Sequence, residues 1–231
     1  PESEDDAMIP LAWIEEAVQR YRDMQAAGTL PPPDRLALDV ATGVGRDAGV
    51  VAVCGGNGCL ALESSTEADT MEQTGRMYQG HRAGLILRVD GDGPGAGVVH
   101  RLRELGATVE SFQGGEGVED TVTDASGELT FANRISWAYW RVREMLDPRA
   151  GLSVFLPPDE MLIEDLAAVR CKTLSSGKIQ REPKDALRKR LGRSPDKGDA
   201  VVMGLAADSA PSPAEWVAAS MQMLRASQSR H

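Results

Sequence analysis

The run Gly84-Leu-Ile-Leu-Arg-Val-Asp90, with its continuation Gly91-Asp-Gly-Pro-Gly-Ala96 and the later run Ala107-Thr-Val-Glu-Ser-Phe112, decides the fold class. The first stretch is apolar, ends on an acid and breaks on glycines, as a buried strand does. From Gly97 to Leu105 the apolar residues recur at helical spacing, and Ala107–Phe112 again reads as a strand. Two strands joined through a helix pair in parallel, because a tight turn returns the chain antiparallel. Upstream, Arg35-Leu-Ala-Leu-Asp-Val-Ala41, Gly49–Cys54 and Cys59–Glu63 are short strand patterns. The turn Thr42–Arg46 joins the first two, and tight glycine turns of this kind predict an antiparallel meander. A meander followed by a strand–helix–strand unit makes an α/β fold with a mixed central sheet.

Outside this centre, residues 10–27 pattern as an amphipathic helix carrying Leu11, Ile14, Val18 and Tyr21. It ends at Gly28, before the stiff Pro31-Pro32-Pro33 connector. A helix is expected at Asp69–Gln79, and a mobile loop at the glycine- and acid-rich Gly114–Thr130. Residues 133–147, with Trp137, Trp140, Val142 and Leu146, and 159–168 read as helices. Cys171–Leu174 and Lys178–Arg181 flank Ser175-Ser-Gly177 as a hairpin. Helices at Pro183–Leu191 and Pro195–Ala207 follow, with one more helical stretch in the tail from Ser209. There is no internal repeat.

Composition narrows the function classes. The 231 residues carry a formal net charge of −10, which argues against holding nucleic acid by bulk electrostatics. The charge is uneven: Glu2, Glu4, Asp5 and Asp6 load the start. Basic residues run from Arg170 to Lys197 with only Glu182, Asp185 and Asp196 among them. No apolar run approaches the roughly 20 residues that span a bilayer. Cys54, Cys59 and Cys171 cannot all pair and fit a reduced compartment. Cys54 and Cys59 fall short of a four-ligand zinc site and read as core or turn residues.

Three acids stand where acids are costly or conspicuous. Asp39 interrupts the apolar Leu36-Ala-Leu-Asp-Val-Ala41, where an ionised carboxylate needs compensation such as a bound cation. Asp90 ends its strand, and strand ends are where α/β sheets build sites. In Ser194-Pro-Asp-Lys-Gly-Asp-Ala200, Ser194 is expected to cap a helix with Pro195 at its first position. Asp196 and Asp199 then share one face of the first turn. Each acid alone also suits a turn or a helix N-terminus. Together, with few histidines, they suit hard cations such as Mg²⁺ or Mn²⁺. Two such cations about 4 Å apart hydrolyse phosphodiesters.

The set Leu-Ala-Leu-Asp39-Val-Ala, Val-Asp90-Gly-Asp-Gly-Pro-Gly-Ala-Gly-Val-Val-His-Arg-Leu, Leu-Ser-Ser-Gly-Lys-Ile and Gly-Arg-Ser-Pro-Asp196-Lys-Gly-Asp199-Ala resembles the nuclease domain of tailed-bacteriophage terminase large subunits. The resemblance runs from about Arg35 to Ala207. It implies an RNase H-like fold and an endonuclease that uses two Mg²⁺ or Mn²⁺ ions to cut concatemeric double-stranded DNA during viral genome packaging. Asp39 matches the first-strand acid and Asp90 the acid before the glycine turn. Asp199 or Asp196 matches the acid near the final core helix. Asp47 and Asp92 are nearby carboxylates read as turn residues. By the same likeness, the hairpin and Lys178, Arg181 and Lys184 meet the DNA backbone. The implied partners are the portal protein and the small terminase subunit, in the cytoplasm of an infected bacterium, with no membrane. The family's ATPase carries a Gly-x-x-x-x-Gly-Lys-Ser/Thr loop that is not found here. Residues 1–33 are therefore expected to be a linker helix and connector after that missing domain, 34–208 the nuclease, and 209–231 a helical tail, with no ATPase activity.

Two rivals read the residues differently. Gly91–Ala96 satisfies a dinucleotide-binding Gly-x-Gly-x-x-Ala pattern of the Rossmann type, with Glu110 placed for a ribose. Asp92 and Pro94 would repel or crowd a pyrophosphate. The other rival is a non-catalytic portal-docking module whose acids are turns and caps. Serine or cysteine hydrolysis lacks a Gly-x-Ser-x-Gly, and His81 and His100 lack a nucleophile partner.

Overall fold

The computed structural model describes residues 7–41, 49–65 and 69–206. The turn 42–46, Asp47, the acidic opening and the tail from residue 207 lie outside the described residues. Helix α1 (Leu11–Ala27) precedes strands β1 (Arg35–Asp39), β2 (Gly49–Gly55) and β3 (Gly58–Ser65). Then come α2 (Thr70–Arg82), β4 (Ile86–Asp90), α3 (Gly95–Glu104) and β5 (Val109–Phe112). Helices α4 (Arg134–Leu146) and α5 (Glu160–Ala168), the hairpin β6 (Cys171–Thr173) and β7 (Ile179–Arg181), and helices α6 (Lys184–Leu191) and α7 (Asp196–Leu205) complete the chain. No helix among the described residues is long and apolar enough to cross a membrane.

The large sheet has the order β3-β2-β1-β4-β5. As the glycine turns foretold, β1, β2 and β3 are antiparallel neighbours, while β1–β4 and β4–β5 are parallel. The sheet divides two cores. On one face Leu36, Leu38, Leu87 and Val89 pack with Val98, Val99 and Leu102 of α3. On the other, Ala37, Val50 and Ala52 pack with Val201, Val202 and Leu205 of α7. Alternation along a strand then sends Asp39 and Asp90 to the α7 face. Leu38 pairs with Val89 in parallel, so the residues that follow, Asp39 and Asp90, leave the sheet side by side.

Helix α7 lies close on β1 and β2 because Gly204 has no side chain. A Cβ there would stand 2.7 Å from Cys54 Sγ and 3.4 Å from Ala37 Cβ. Cys54 is thus a packing residue of the sheet. The α7 C-terminus, where unpaired carbonyls collect, meets two arginines. Arg35 Nε donates to Gly204 O at 2.7 Å, and Arg88 donates to Met203 O at 2.6 Å and to Ala206 O. Gly204→Ala is expected to cost about 1–3 kcal/mol through overpacking. Adding Cys54→Ala should recover part of it in urea denaturation. Additive losses would show that the contact does not set the helix position.

The helix at 11–27, expected as a linker helix, packs on the sheet layer: Ile14, Ala17 and Val18 belong to the α7-side core, as do Met8 and Ile9 before them. Two expectations change. Gly114–Thr130, expected as a mobile loop, is tied down by hydrogen bonds. Asp124 Oδ1 accepts from Glu128 N and Leu129 N, and Ala125 N donates to Glu144 Oε1 on α4 at 2.7 Å. Ser194 does not cap α7; Pro195 is the cap residue, and the Ser194 hydroxyl is buried without a hydrogen bond among the described residues.

Candidate metal and nucleic-acid site

The site stands where β1 and β4 end and α7 begins. The Lys184 side chain, from the first residue of α6, reaches into the acids. Its Nζ is 3.1 Å from Asp199 Oδ2, 3.6 Å from Asp39 Oδ2 and 3.8 Å from Asp196 Oδ1. Asp90 stands beside them, and its Oδ1 accepts from Asp92 N at 3.0 Å. The four acids singled out in the sequence therefore gather at one end of the sheet.

Their electrostatics differ. Burial pushes the Asp39 carboxyl well above its usual range; the Lys184 ammonium opposes this, and the Asp199, Asp196 and Asp90 carboxylates add to it. Asp90 is raised as well, first by burial. Burial also works against the charge on Asp199, but Arg181, Lys184 and Tyr139 outweigh it and hold this carboxyl well below the usual range. Lys184 is the mirror case: burial disfavours its charge, and Asp199, Asp39 and Asp196 together raise it above an ordinary lysine.

Asp199 is oriented by groups that sequence patterning did not single out for this role. Its Oδ1 accepts from Tyr139 OH at 2.8 Å and from Arg181 Nη1 at 2.6 Å. The Arg181 guanidinium also lies 4.9 Å over the Tyr139 ring. Oδ1 is thus taken by protein donors, and Oδ2 alone faces the other acids. The first turn of α7 is held from α5: fully buried Asp165 accepts from Gly198 N at 3.0 Å and pairs with Arg193. Burial pushes the Asp165 carboxyl up to about 6. A signal for it was present, since Asp165 shares the apolar face of its helix with Leu162 and Leu166 at helical spacing. Tyr139→Phe removes one hydrogen bond to a charged acceptor and should cost about 1.5–3 kcal/mol in urea denaturation. A change below half a kilocalorie would show that Arg181 alone orients Asp199.

Of the residues expected on DNA, Lys184 stands among the acids. Lys178 pairs with the exposed Asp120 at 2.6 Å. Arg181 departs from expectation: it is buried and engaged by Asp199 and Tyr139, so its guanidinium does not face a backbone outside. The reason is register. On the short β7, Arg181 N donates to the buried Ser136 Oγ, and that side of the hairpin faces the core.

The carboxylates fit hard divalent cations by donor type, since buried oxygens carry more negative charge than one lysine offsets. Among the described residues no trio of His, Cys, Asp or Glu already stands at metal-ligating separations. Lys184 Nζ occupies the space between them. The dinucleotide reading loses its support: β1 to β3 are antiparallel, and Glu110 is engaged by Arg88 at 2.6 Å.

No protein-family model matches the sequence, and no curated protein matches it significantly. Solved structures do match in fold. The nuclease domain of the large terminase subunit gp2 of bacterial virus Sf6, in a variant form with manganese and β-thujaplicinol, superposes with a TM-score of 0.71 at 21% identity. The match covers 88% of this chain and 100% of that one. A variant of the same gp2 domain with calcium gives 0.67 at 21% identity over 87% and 99% of the two chains. The large terminase nuclease domain of Thermus phage P74-26 gives 0.52 at 11% identity, over 86% and 93%. The chain has the RNase H-like fold of these domains.

Proposed function

We propose that this chain is a metal-dependent endodeoxyribonuclease of the large-terminase kind, cutting double-stranded DNA during viral genome packaging. The observation that carries the reading is the convergence of Asp39, Asp196 and Asp199 on Lys184 Nζ beside Asp90, in a fold shared with terminase nucleases. Asp39, Asp90 and Asp199, with Asp196, would hold two Mg²⁺ or Mn²⁺ ions. When bound, such ions activate a water and stabilise the leaving oxygen of a phosphodiester. The gp2 variants with manganese and with calcium support divalent-ion use in this fold.

The chain's own residues do the rest. Asp39, rigid in a central strand, sets the inner edge of the site. Asp199 offers Oδ2 alone, because Tyr139 and Arg181 hold Oδ1. Lys184 neutralises the acids while they are unliganded. Its side chain is 42% exposed, so it can turn outward to a phosphate as cations enter. Lys178 meets the DNA backbone from the hairpin once Asp120 releases it. The remaining partners, the portal protein, the small subunit and an ATPase domain in an infected bacterium, are those the family resemblance implies. An overall acidic domain should bind DNA weakly and lose it with salt.

The deciding experiment is cleavage of supercoiled plasmid with Mg²⁺, Mn²⁺ or EDTA, wild type beside Asp39→Ala and Asp90→Ala. Metal-dependent nicking lost in both variants supports the reading. Cutting that survives EDTA, or that both variants retain, overturns it.

A further inference from the structure

The end of the sheet away from the acids is left partly bare. Ile86, the first residue of β4, is 55% exposed, and Leu105, in the turn that leads to β5, is 37% exposed. Beside Ile86 a cavity of about 350 Å³ opens between the start of β4 and that of β5, lined by Leu85, Thr108 and Glu110, with His81 near the end of α2. Alternation puts Ile86 on the same face as Arg88, the face that α7 covers. Helix α7 stops short of it: the carbonyls of Met203 and Ala206 end on Arg88, which also holds Glu110 at 2.6 Å.

The chain goes on from this point. Residues 207–231 follow Ala206 and lie outside the described residues, and their sequence carries the pattern of one more helix. Ser212-Pro-Ala-Glu215 has the spacing of a capping box, with Pro213 suited to the first helical position. Trp216, Val217, Met221 and Leu224 then fall on one side at helical spacing, and Glu215 and Gln222 on the other. The connector, 207–212, spans up to about 20 Å when extended. Ile86 lies two residues along β4 from Arg88, about 7 Å away. A helix beginning at 213 is therefore within reach of it.

We propose that the segment 213–226 folds back as an amphipathic helix onto this bare end of the sheet, with Trp216, Val217, Met221 and Leu224 against Ile86 and the cavity beside it. The occupant follows from where the chain leaves α7 and from what it carries. An apolar side chain stands open on a sheet face next to a connected segment that has one apolar side. A helix of about 14 residues is marginal by itself in water. Its order then depends on the docking. The proposal stands apart from the nuclease reading, since Ile86 and Asp90 lie at opposite ends of β4.

Hydrogen exchange of the full chain, read by mass spectrometry, tests it. In wild type the amides of 216–226 should exchange at least about tenfold more slowly than in an unstructured peptide. Ile86→Asp should return them to within about twofold of the peptide rate. Val217→Asp should do the same, and it leaves the described fold untouched. Met71→Asp is the control: Met71 is 58% exposed near the start of α2, so a charge added there should leave the segment protected. Unprotected amides in wild type overturn the proposal. So does protection that survives Ile86→Asp or Val217→Asp, which would place the segment elsewhere, or a loss in Met71→Asp as large as in Ile86→Asp. Protection that grows with protein concentration would assign the surface to a second copy of this chain and overturn docking of its own tail.

Discussion

Asp39→Ala is expected to lower metal-dependent plasmid cleavage by at least about a thousandfold, while the metal-free protein melts no lower than wild type. The rate loss follows from position. Asp39 sits on a central strand, 4% exposed, among three other acids. Loss of about 4 kcal/mol of transition-state stabilisation corresponds to that factor, and bound cations supply several kcal/mol. The stability result follows from charge. Burial and the nearby carboxylates make the ionised Asp39 unfavourable in the fold, so removing it at neutral pH relieves the folded state. The loss of its contact with Lys184 is small, since the ammonium stays 3.1 Å from Asp199. Plasmid nicking and calorimetry read the two effects separately. Cleavage retained by a folded Asp39→Ala would remove Asp39 from the ligand set. A clearly lowered melting temperature would show that the Asp39–Lys184 attraction outweighs repulsion among the acids.

Arg181→Met is expected to cost about 3–5 kcal/mol of stability, the usual effect of breaking a buried ion pair from one side. Both partners are nearly inaccessible, with side chains 4% and 9% exposed. The variant would leave Asp199 as a buried charge supported by one hydroxyl and by Lys184. That is a large share of a domain's typical stability of 5–15 kcal/mol. Arg181→Met with Asp199→Asn should recover most of the loss, because the second change removes the stranded charge. Urea denaturation of the four proteins completes the cycle. A single-variant loss under 1 kcal/mol, or no recovery in the double variant, would show that Arg181 matters for packing on Tyr139 alone.

Much of the architecture was legible because it depends on near neighbours in sequence. Apolar runs broken by glycine marked β1 to β3, and the strand–helix–strand pattern marked the parallel β4–β5 pair. The acids were legible for the same reason: Asp39 interrupts an apolar strand, Asp90 closes one, and Asp196 and Asp199 share the first turn of a helix. The misreadings arose where distant contacts override local pattern. Ser194 has the composition of a cap, yet α7 begins one residue later, with Pro195 at the cap position and Asp165 from α5 accepting from Gly198 N. Gly114–Thr130 has the composition of a free loop, yet α4 holds it.

The sequence by itself determined the α/β class, the strand ends that carry Asp39 and Asp90, and the pairing of Asp196 with Asp199 on one helical face. These follow from backbone periodicity and from the cost of an acid within an apolar run. Only the tertiary structure decided what surrounds each acid. Tyr139 and Arg181 lie 60 and 18 residues from Asp199 in the chain, yet both bind the same carboxylate oxygen. Arg181 reads as a basic residue free for DNA until the packing of β7 on α4 turns it inward, and Lys184 until α6 places it among the carboxylates. A side chain's charge is written in the sequence. Which opposite charge it meets depends on how helices and strands far apart in the chain are rotated and packed, and no local pattern carries that.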